Sequence, residues 1–291
     1  MCLFTLDTFG LYRASDVYSV SGAVGRVAFR PLSCVCKEHA FMKPPPLQEY
    51  DLDFDYGTFD SAGFTANTLS SWQSLAAVID HTLVKPVATR KRVETLCAEA
   101  ARYRFACVLV NPMWTSIAVS ALAGTGIPTG AVIGSPLGGS LVSTLRQEIT
   151  ALIRLGVREF DMVLPIGQLK SGNHTAVQRT IRAVVGVAHH HGALLKVTLE
   201  TALLTMEEKL RASEIAIQAG ADFIKTSTGS AAVGAIPADI ALMRGVAGAR
   251  CGIKASGGIR TLAQLRTLLE AGANRIGCSA SVAILRELGA E

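Results

Sequence analysis

Three lysines carry the first chemical signal in this chain. Lys196, Lys225 and Lys254 each sit in a short apolar segment, and they recur at an even spacing of 29 residues. An ammonium in an apolar strand is costly to desolvate unless it is paired or gives up its proton. A buried lysine that gives up its proton is a free amine near neutral pH, which is what Schiff-base formation with a carbonyl requires. A second ammonium close by disfavours protonation of the first and adds to that effect. Carboxylates accompany the lysines: Asp161 within Phe160-Asp161-Met162-Val163, Glu200 in phase with Lys196, and Asp80 in Asp80-His81-Thr82. An aspartate beside such an amine can move protons, through water or a side chain, during carbonyl addition and dehydration. His189-His190-His191 falls at a helix end and reads as solvated, so no group of histidines at ligand spacing accompanies the lysines. Neither a metal nor a cofactor is expected.

These side chains need strands that end at a common surface. From about Ser71 the sequence alternates apolar strand candidates with helical patterns. The strand candidates cover residues 77–80, 106–111, 130–134, 159–164, 194–199, 222–227, 252–255 and 275–278. Helical patterns between them include 90–103, 176–190, 206–219 and 262–271. Thr205 with Glu208 and Thr261 with Gln264 read as capping boxes. Gly156, Gly220 and Gly272 each close a helix just before a strand. Eight strands alternating with helices predict an α/β chain folded as a (β/α)8 TIM barrel over residues 71–291. A doubly wound open sheet is the alternative, but no dinucleotide glycine fingerprint or P-loop follows the first strand.

In a barrel, alternate strand residues face the axis, so lysines one βα unit apart are expected at the same height in one space. Active sites of this architecture gather at the carboxyl ends of the strands. The loops after strands seven and eight contain Ser256-Gly257-Gly258 and Gly277-Cys278-Ser279-Ala280. That position, beside a helix N-terminus, is the recurrent phosphate site of the fold.

Composition narrows the class further. The net charge of +5 is spread along the chain, so no nucleic-acid surface is expected. No charged residue occurs from Phe105 to Leu145, yet glycines and prolines cut that stretch far short of the ~20 apolar residues that a spanning helix needs. It reads as buried parallel strands, and no membrane partner is expected. Most of the later cysteines among Cys2, Cys34, Cys36, Cys97, Cys107, Cys251 and Cys278 lie in apolar patterns, as reduced thiols of a cytoplasmic protein do. Cys34 and Cys36 stand too close together, and too far from any other ligand cluster, for a zinc site. Residues 1–70 lack periodicity, contain Pro44-Pro45-Pro46 and an acidic, aromatic run, and read as a flexible, poorly ordered extension. Asp7 and Asp16 argue against an organellar transit peptide, and no signal-peptide core is evident.

The sequence resembles deoxyribose-phosphate aldolase. The resemblance rests on Asp80-His81-Thr82-Leu83, Glu159-Phe160-Asp161-Met162-Val163, Leu169-Lys170-Ser171-Gly172, Leu195-Lys196-Val197, Phe223-Ile224-Lys225-Thr226-Ser227-Thr228-Gly229 and Lys254-Ala255-Ser256-Gly257-Gly258-Ile259-Arg260, in order from about Leu75 to Ala283. It implies a class I, metal-free lyase that cleaves 2-deoxy-D-ribose 5-phosphate to D-glyceraldehyde 3-phosphate and acetaldehyde. By the same resemblance Lys225 forms the Schiff base, Lys254 perturbs it and Asp161 transfers protons. Asp80, Thr82 and Lys196 would line the substrate site, and Gly229, Gly257, Gly258 and Ser279 would hold the phosphate. The implied partner is a small phosphorylated sugar, and a homodimer fits the family by analogy. Ser230, Ala280 and Ser135 stand where members of the family carry lysine, serine and phenylalanine, departures that bear on phosphate affinity and turnover. The competing expectations are another Schiff-base barrel aldolase of the transaldolase kind and a non-catalytic sugar-phosphate-binding barrel.

Overall fold

Runs of β-branched and apolar residues bounded by glycine favour short strands that are buried on both faces, and parallel sheets demand such strands. A computed structural model describes residues 57–291 of the chain. Its strands are β1 (Ile79–Leu83), β2 (Cys107–Val110), β3 (Thr129–Ile133), β4 (Glu159–Val163), β5 (Leu194–Thr198), β6 (Phe223–Lys225), β7 (Gly252–Ser256) and β8 (Arg275–Cys278). Each pairs in parallel with the next and β8 closes on β1, which makes the expected (β/α)8 barrel. The helices are α1 (Ser61–Thr68), α2 (Trp72–Ala76), α3 (Arg90–Tyr103), α4 (Thr115–Ala121), α5 (Val142–Arg154) and α6 (Ile166–Lys170). They continue with α7 (His174–His190), α8 (Met206–Gln218), α9 (Pro237–Ala247), α10 (Leu262–Glu270) and α11 (Ser281–Glu287).

The main apolar core lies between sheet and helices. On β4, Phe160 and Met162 belong to it; on β5, Leu195 and Val197; on β7, Ile253 and Ala255. Helices answer with one buried stripe each, as in α5, where Leu145, Ile149, Leu152 and Ile153 recur at helical spacing. Each such large side chain contributes roughly 1.5–3 kcal/mol on burial. The alternate residues of the same strands point to the barrel axis, and many of them are charged.

Several boundaries differ from the sequence reading. Strand one begins at Ile79 rather than 77, because Ser71 caps the short helix α2 by accepting from the Ser74 N–H at 3.1 Å. Strand six is only three residues long, but its ends are tied by side chains: Asp222 Oδ2 accepts from the Leu195 N–H at 2.7 Å, and Thr226 Oγ1 accepts from the Ser256 N–H at 3.1 Å. Thr205 and Glu208 form a full capping box. Thr261 caps α10 through the Gln264 N–H, whereas the Gln264 amide oxygen takes the Arg260 N–H instead of completing the box. Gly156, Gly220 and Gly272 all have positive φ, between 94° and 112°, as helix-closing glycines do.

Residues 57–70, which the sequence reading placed in the extension, contain α1. This helix lies against α10, and its Phe64 packs on the core. The remainder of that extension, with the proline run, Asp7, Asp16, Cys2, Cys34 and Cys36, lies outside the described residues. Cys97, Cys107, Cys251 and Cys278 are free and buried. Among the described residues no helix is long and apolar enough to cross a membrane.

Candidate active site

Strand register decides which charges meet. Lys225 on β6 stands opposite Lys254 on β7. Asp161 on β4 projects into the same space, and its Oδ2 accepts from Lys225 Nζ at 2.7 Å and from Lys254 Nζ at 2.6 Å. All three are almost wholly buried. Burial pushes the Lys225 ammonium below its ordinary range; Asp161 opposes that shift and Lys254 adds to it. Burial alone would raise the Asp161 carboxyl, but Lys225, Lys254 and Lys196 together hold it well below the usual carboxylate range. The outcome is a carboxylate that stays ionised beside an amine poised to lose its proton.

Lys196 corrects one expectation. Equal spacing in sequence does not give equal height, because register places Lys196 opposite Phe223, two residues below Lys225. Its ammonium is bound to Glu159 Oε2 and lies 3.5 Å from Asp161 Oδ1 and 3.7 Å from Asp80 Oδ2. Burial would lower it, but Asp80, Asp161 and Glu159 prevail and keep it firmly protonated. Asp80 Oδ2 in turn contacts Lys254 Nζ at 2.6 Å. Thr82, half-buried at the end of β1, donates its hydroxyl to the Asp80 carbonyl at 2.8 Å. His81 points the other way, bridging Ser281 and Glu99 outside the barrel.

The loops above complete the mouth. Gly229, Gly257 and Gly258 all have positive φ, and no atom lies within 4 Å of where a side chain would start at Gly229 or Gly258. Gly257 has less room: a Cβ there would stand 3.1 Å from Gly234 Cα, and it is Gly234 whose own Cβ would clash, 2.1 Å from the Gly257 carbonyl oxygen. Glu200, buried and in the left-handed region at φ 57°, accepts from the Thr228 N–H at 3.0 Å and from its hydroxyl, which fixes the turn into Gly229. Ser279 is exposed after β8. Ser230 and Ser135 are exposed, and Ala280 is the residue before α11.

The model of the DeoC/LacD family aldolases matches residues 74–287, the whole barrel. This chain belongs to the DeoC/LacD aldolases. A deoxyribose-phosphate aldolase from Lysinibacillus sphaericus is 48% identical to it over 219 residues, 75% of this chain and 98% of the relative. One from Listeria monocytogenes is 49% identical over 212 residues, 73% and 95% respectively. A tetrameric deoxyribose phosphate aldolase from Aeropyrum pernix superposes with a TM-score of 0.73 at 32% identity, covering 78% of this chain and 96% of the other.

Some members of the charged cluster in this DeoC/LacD aldolase were not singled out from sequence. Arg275 on β8 donates Nε to Asp80 Oδ1 at 2.6 Å and spans the barrel to Glu159 at 2.9 and 3.0 Å. Glu159 is in phase with Asp161, and Arg275 with Gly277, so carrying the alternation one step down each strand would have found both. Gly277 was read as part of strand eight and of the loop that follows it, without a role of its own. A Cβ there would stand 2.9 Å from Lys254 Cε, so its small size makes room for that lysine. Asp80, Cys107 and Glu159 place potential metal-binding atoms within 4.8 Å of one another. Both carboxylates there are already engaged by Lys254, Arg275 and Lys196, and burial first, then Glu159 and Asp80, push the Cys107 thiol far above its ordinary range.

Proposed function

We propose that the protein cleaves 2-deoxy-D-ribose 5-phosphate to D-glyceraldehyde 3-phosphate and acetaldehyde, with Lys225 as the Schiff-base nucleophile. The observation that carries this reading is the shared Asp161 oxygen: two buried lysines converge on one carboxylate, Lys225 at the last position of β6 and Lys254 in the middle of β7. Lys225 Nζ attacks C1 of the open-chain aldehyde, and the carbinolamine loses water to give an iminium. The C3 hydroxyl gives up its proton, the C2–C3 bond breaks, and its electron pair flows to the iminium nitrogen. Glyceraldehyde 3-phosphate leaves, and a two-carbon enamine remains on Lys225. Protonation of that enamine at carbon and addition of water release acetaldehyde and restore the amine.

Asp161 is suited to relaying these protons because it touches Lys225 and Lys254 at once. Lys254 supplies a fixed positive charge beside the developing iminium. Asp80, Thr82 and Lys196 hold this arrangement from below and beside it. In this reading backbone N–H groups of Gly229, Gly257 and Gly258, with the Ser279 hydroxyl, receive the phosphate; all three glycines have positive φ, and the space around Gly229 and Gly258 is open. We propose a homodimer by analogy with the family, and a cytoplasmic site of action, as suits a small phosphorylated substrate.

Treatment with acetaldehyde and borohydride tests the reading directly. A reduced two-carbon adduct on Lys225, located by peptide mass mapping, together with loss of activity, is expected. An adduct on Lys196 instead would reassign the nucleophile, and no adduct at all would favour simple sugar-phosphate binding.

A further inference from the structure

Beneath the reacting lysine, the buried charges form a closed cycle. Arg275 contacts Glu159, Glu159 binds Lys196, and Lys196 faces Asp161 at 3.5 Å. Asp161 holds Lys254 at 2.6 Å, Lys254 holds Asp80 at 2.6 Å, and Asp80 returns to Arg275 at 2.6 Å. Positive and negative groups alternate all the way round, three of each, so the cycle is electroneutral by itself. Lys225 hangs from it as a seventh group, and among the described residues Asp161 is the one carboxylate within ion-pair distance of it. With Lys225 protonated the buried cluster holds one charge too many; with Lys225 neutral it is balanced. A buried uncompensated charge is expensive, so the surplus proton is the one that leaves.

We propose that Glu159 and Arg275, the first residues of β4 and β8, are positioning residues that close this neutral ring and so single out Lys225 as the amine that reacts. The inference rests on the Schiff-base reading above and deepens it. Arg275 is suited to the role because a guanidinium does not surrender its proton and its fork can bind both Glu159 oxygens and Asp80 at once. Lys196, held by three carboxylates, is kept charged although it is as deeply buried as Lys225. The other titratable groups near the cluster are Cys107 on β2, its thiol pushed far up by burial, and Glu200 after β5, which is committed to Thr228.

The test uses the full chain and follows Lys225 adduct formation with acetaldehyde and cyanoborohydride as a function of pH, read by intact mass and peptide mapping. Arg275→Met removes a cation from the ring, so the cluster balances only with Lys225 charged. The midpoint moves to higher pH, with about tenfold slower reaction at neutral pH for each unit moved. Glu159→Gln removes an anion and moves the midpoint to lower pH. The double variant restores neutrality and returns the profile towards that of the wild type, and Arg275→Lys, which keeps the charge, leaves it near the wild type. Single variants that both move the same way, or leave the midpoint in place while Lys225 still reacts, would overturn the inference. If Arg275→Met does not fold, the near-isosteric Glu159→Gln decides alone, and an unmoved or raised midpoint counts against the ring. A wild-type protein that forms no Lys225 adduct at any pH would instead sink the Schiff-base reading itself.

Discussion

Lys225 and Lys254 face each other across the β6–β7 ladder, and their ammonium nitrogens meet on one oxygen of Asp161, at 2.7 and 2.6 Å. The two lysines are therefore chemically adjacent but differently committed. Lys254 has a second carboxylate, Asp80, at 2.6 Å, whereas among the described residues Lys225 has Asp161 alone. That difference supports the proposed division of labour between nucleophile and fixed charge.

Lys225→Arg is expected to abolish adduct formation, because a guanidinium stays protonated and cannot attack a carbonyl. Lys254→Leu should leave Lys225 in place but remove a neighbouring positive charge, so the Lys225 amine becomes harder to free. Its adduct rate at neutral pH should fall about tenfold for each unit the midpoint rises, and recover in part as pH is raised. A deficit of equal depth at every pH would assign Lys254 to proton transfer or geometry.

Acid should weaken the barrel through the same cluster. Asp80 and Asp161 are held ionised well below the ordinary range, burial being outweighed by Lys254, Lys196 and Arg275 in the first case and by the three lysines in the second. A carboxylate with a folded value below its unfolded one contributes stability that is fully present above about pH 4 and is lost as pH falls towards the folded value. Denaturant unfolding of the wild type should therefore show falling stability below about pH 4. Asp80→Asn should lose about 3–5 kcal/mol at neutral pH by stranding its cations, and show a shallower loss in acid. An unchanged acid slope in that variant would mean that other groups govern the transition.

Gly277→Ala inserts a methyl group 2.8 Å from Ser256 Oγ and 2.9 Å from Lys254 Cε. Overpacking of this kind costs roughly 1–3 kcal/mol, and here it must displace the lysine that flanks Lys225. A lower kcat is expected together with a lower Tm. Wild-type turnover in a destabilised variant would show that Lys254 tolerates the shift.

Truncation should separate the two parts of the N-terminal region. Deleting residues 1–56 is expected to leave a folded, active barrel, since the family match begins at residue 74 and the barrel lies within 57–291. Deleting 1–70 also removes α1, including Phe64, which packs on the core, and Phe59, whose ring lies 4.1 Å from the Arg244 guanidinium. Full burial of a large apolar side chain is worth about 1.5–3 kcal/mol, and Phe64 is partly buried, so the longer truncation should lose less than that and melt at a lower temperature. Equal Tm values for the two would show that α1 contributes nothing measurable.

Much of the barrel was legible because its signals are local. Arg90–Tyr103 and Arg275–Cys278 were read to the residue, from helical spacing in one case and flanking turn residues in the other. Lys225, Lys254 and Asp161 stood out because charges within apolar runs are conspicuous. Relative height was not legible. Lys196 and Lys225 are separated by the same 29 residues as Lys225 and Lys254, yet only the second pair is in register, because loop and helix lengths trade against one another within each unit. Arg275 and Glu159 escaped notice for a related reason: they sit at strand beginnings, where a charge reads as solvated unless the cross-barrel partner is known. Phe64 in α1 was missed because a helix of eight residues offers too few turns for a periodic pattern.

Because β4 alternates Glu159 and Asp161 with Phe160 and Met162, the inward and outward sets of its first four residues have opposite solvent preferences. Sliding β4 by a single residue against β3 and β5 would thrust two large apolar side chains into the barrel interior and strand two carboxylates among leucines and isoleucines, away from every lysine. Such a slip is penalised twice, once by each face, whereas an all-aliphatic barrel would feel it chiefly as poorer packing. The reactive charges thus act as a proofreading mark for strand alignment, and a mutant chain stripped of them is expected to be catalytically dead and also less faithful in how it assembles.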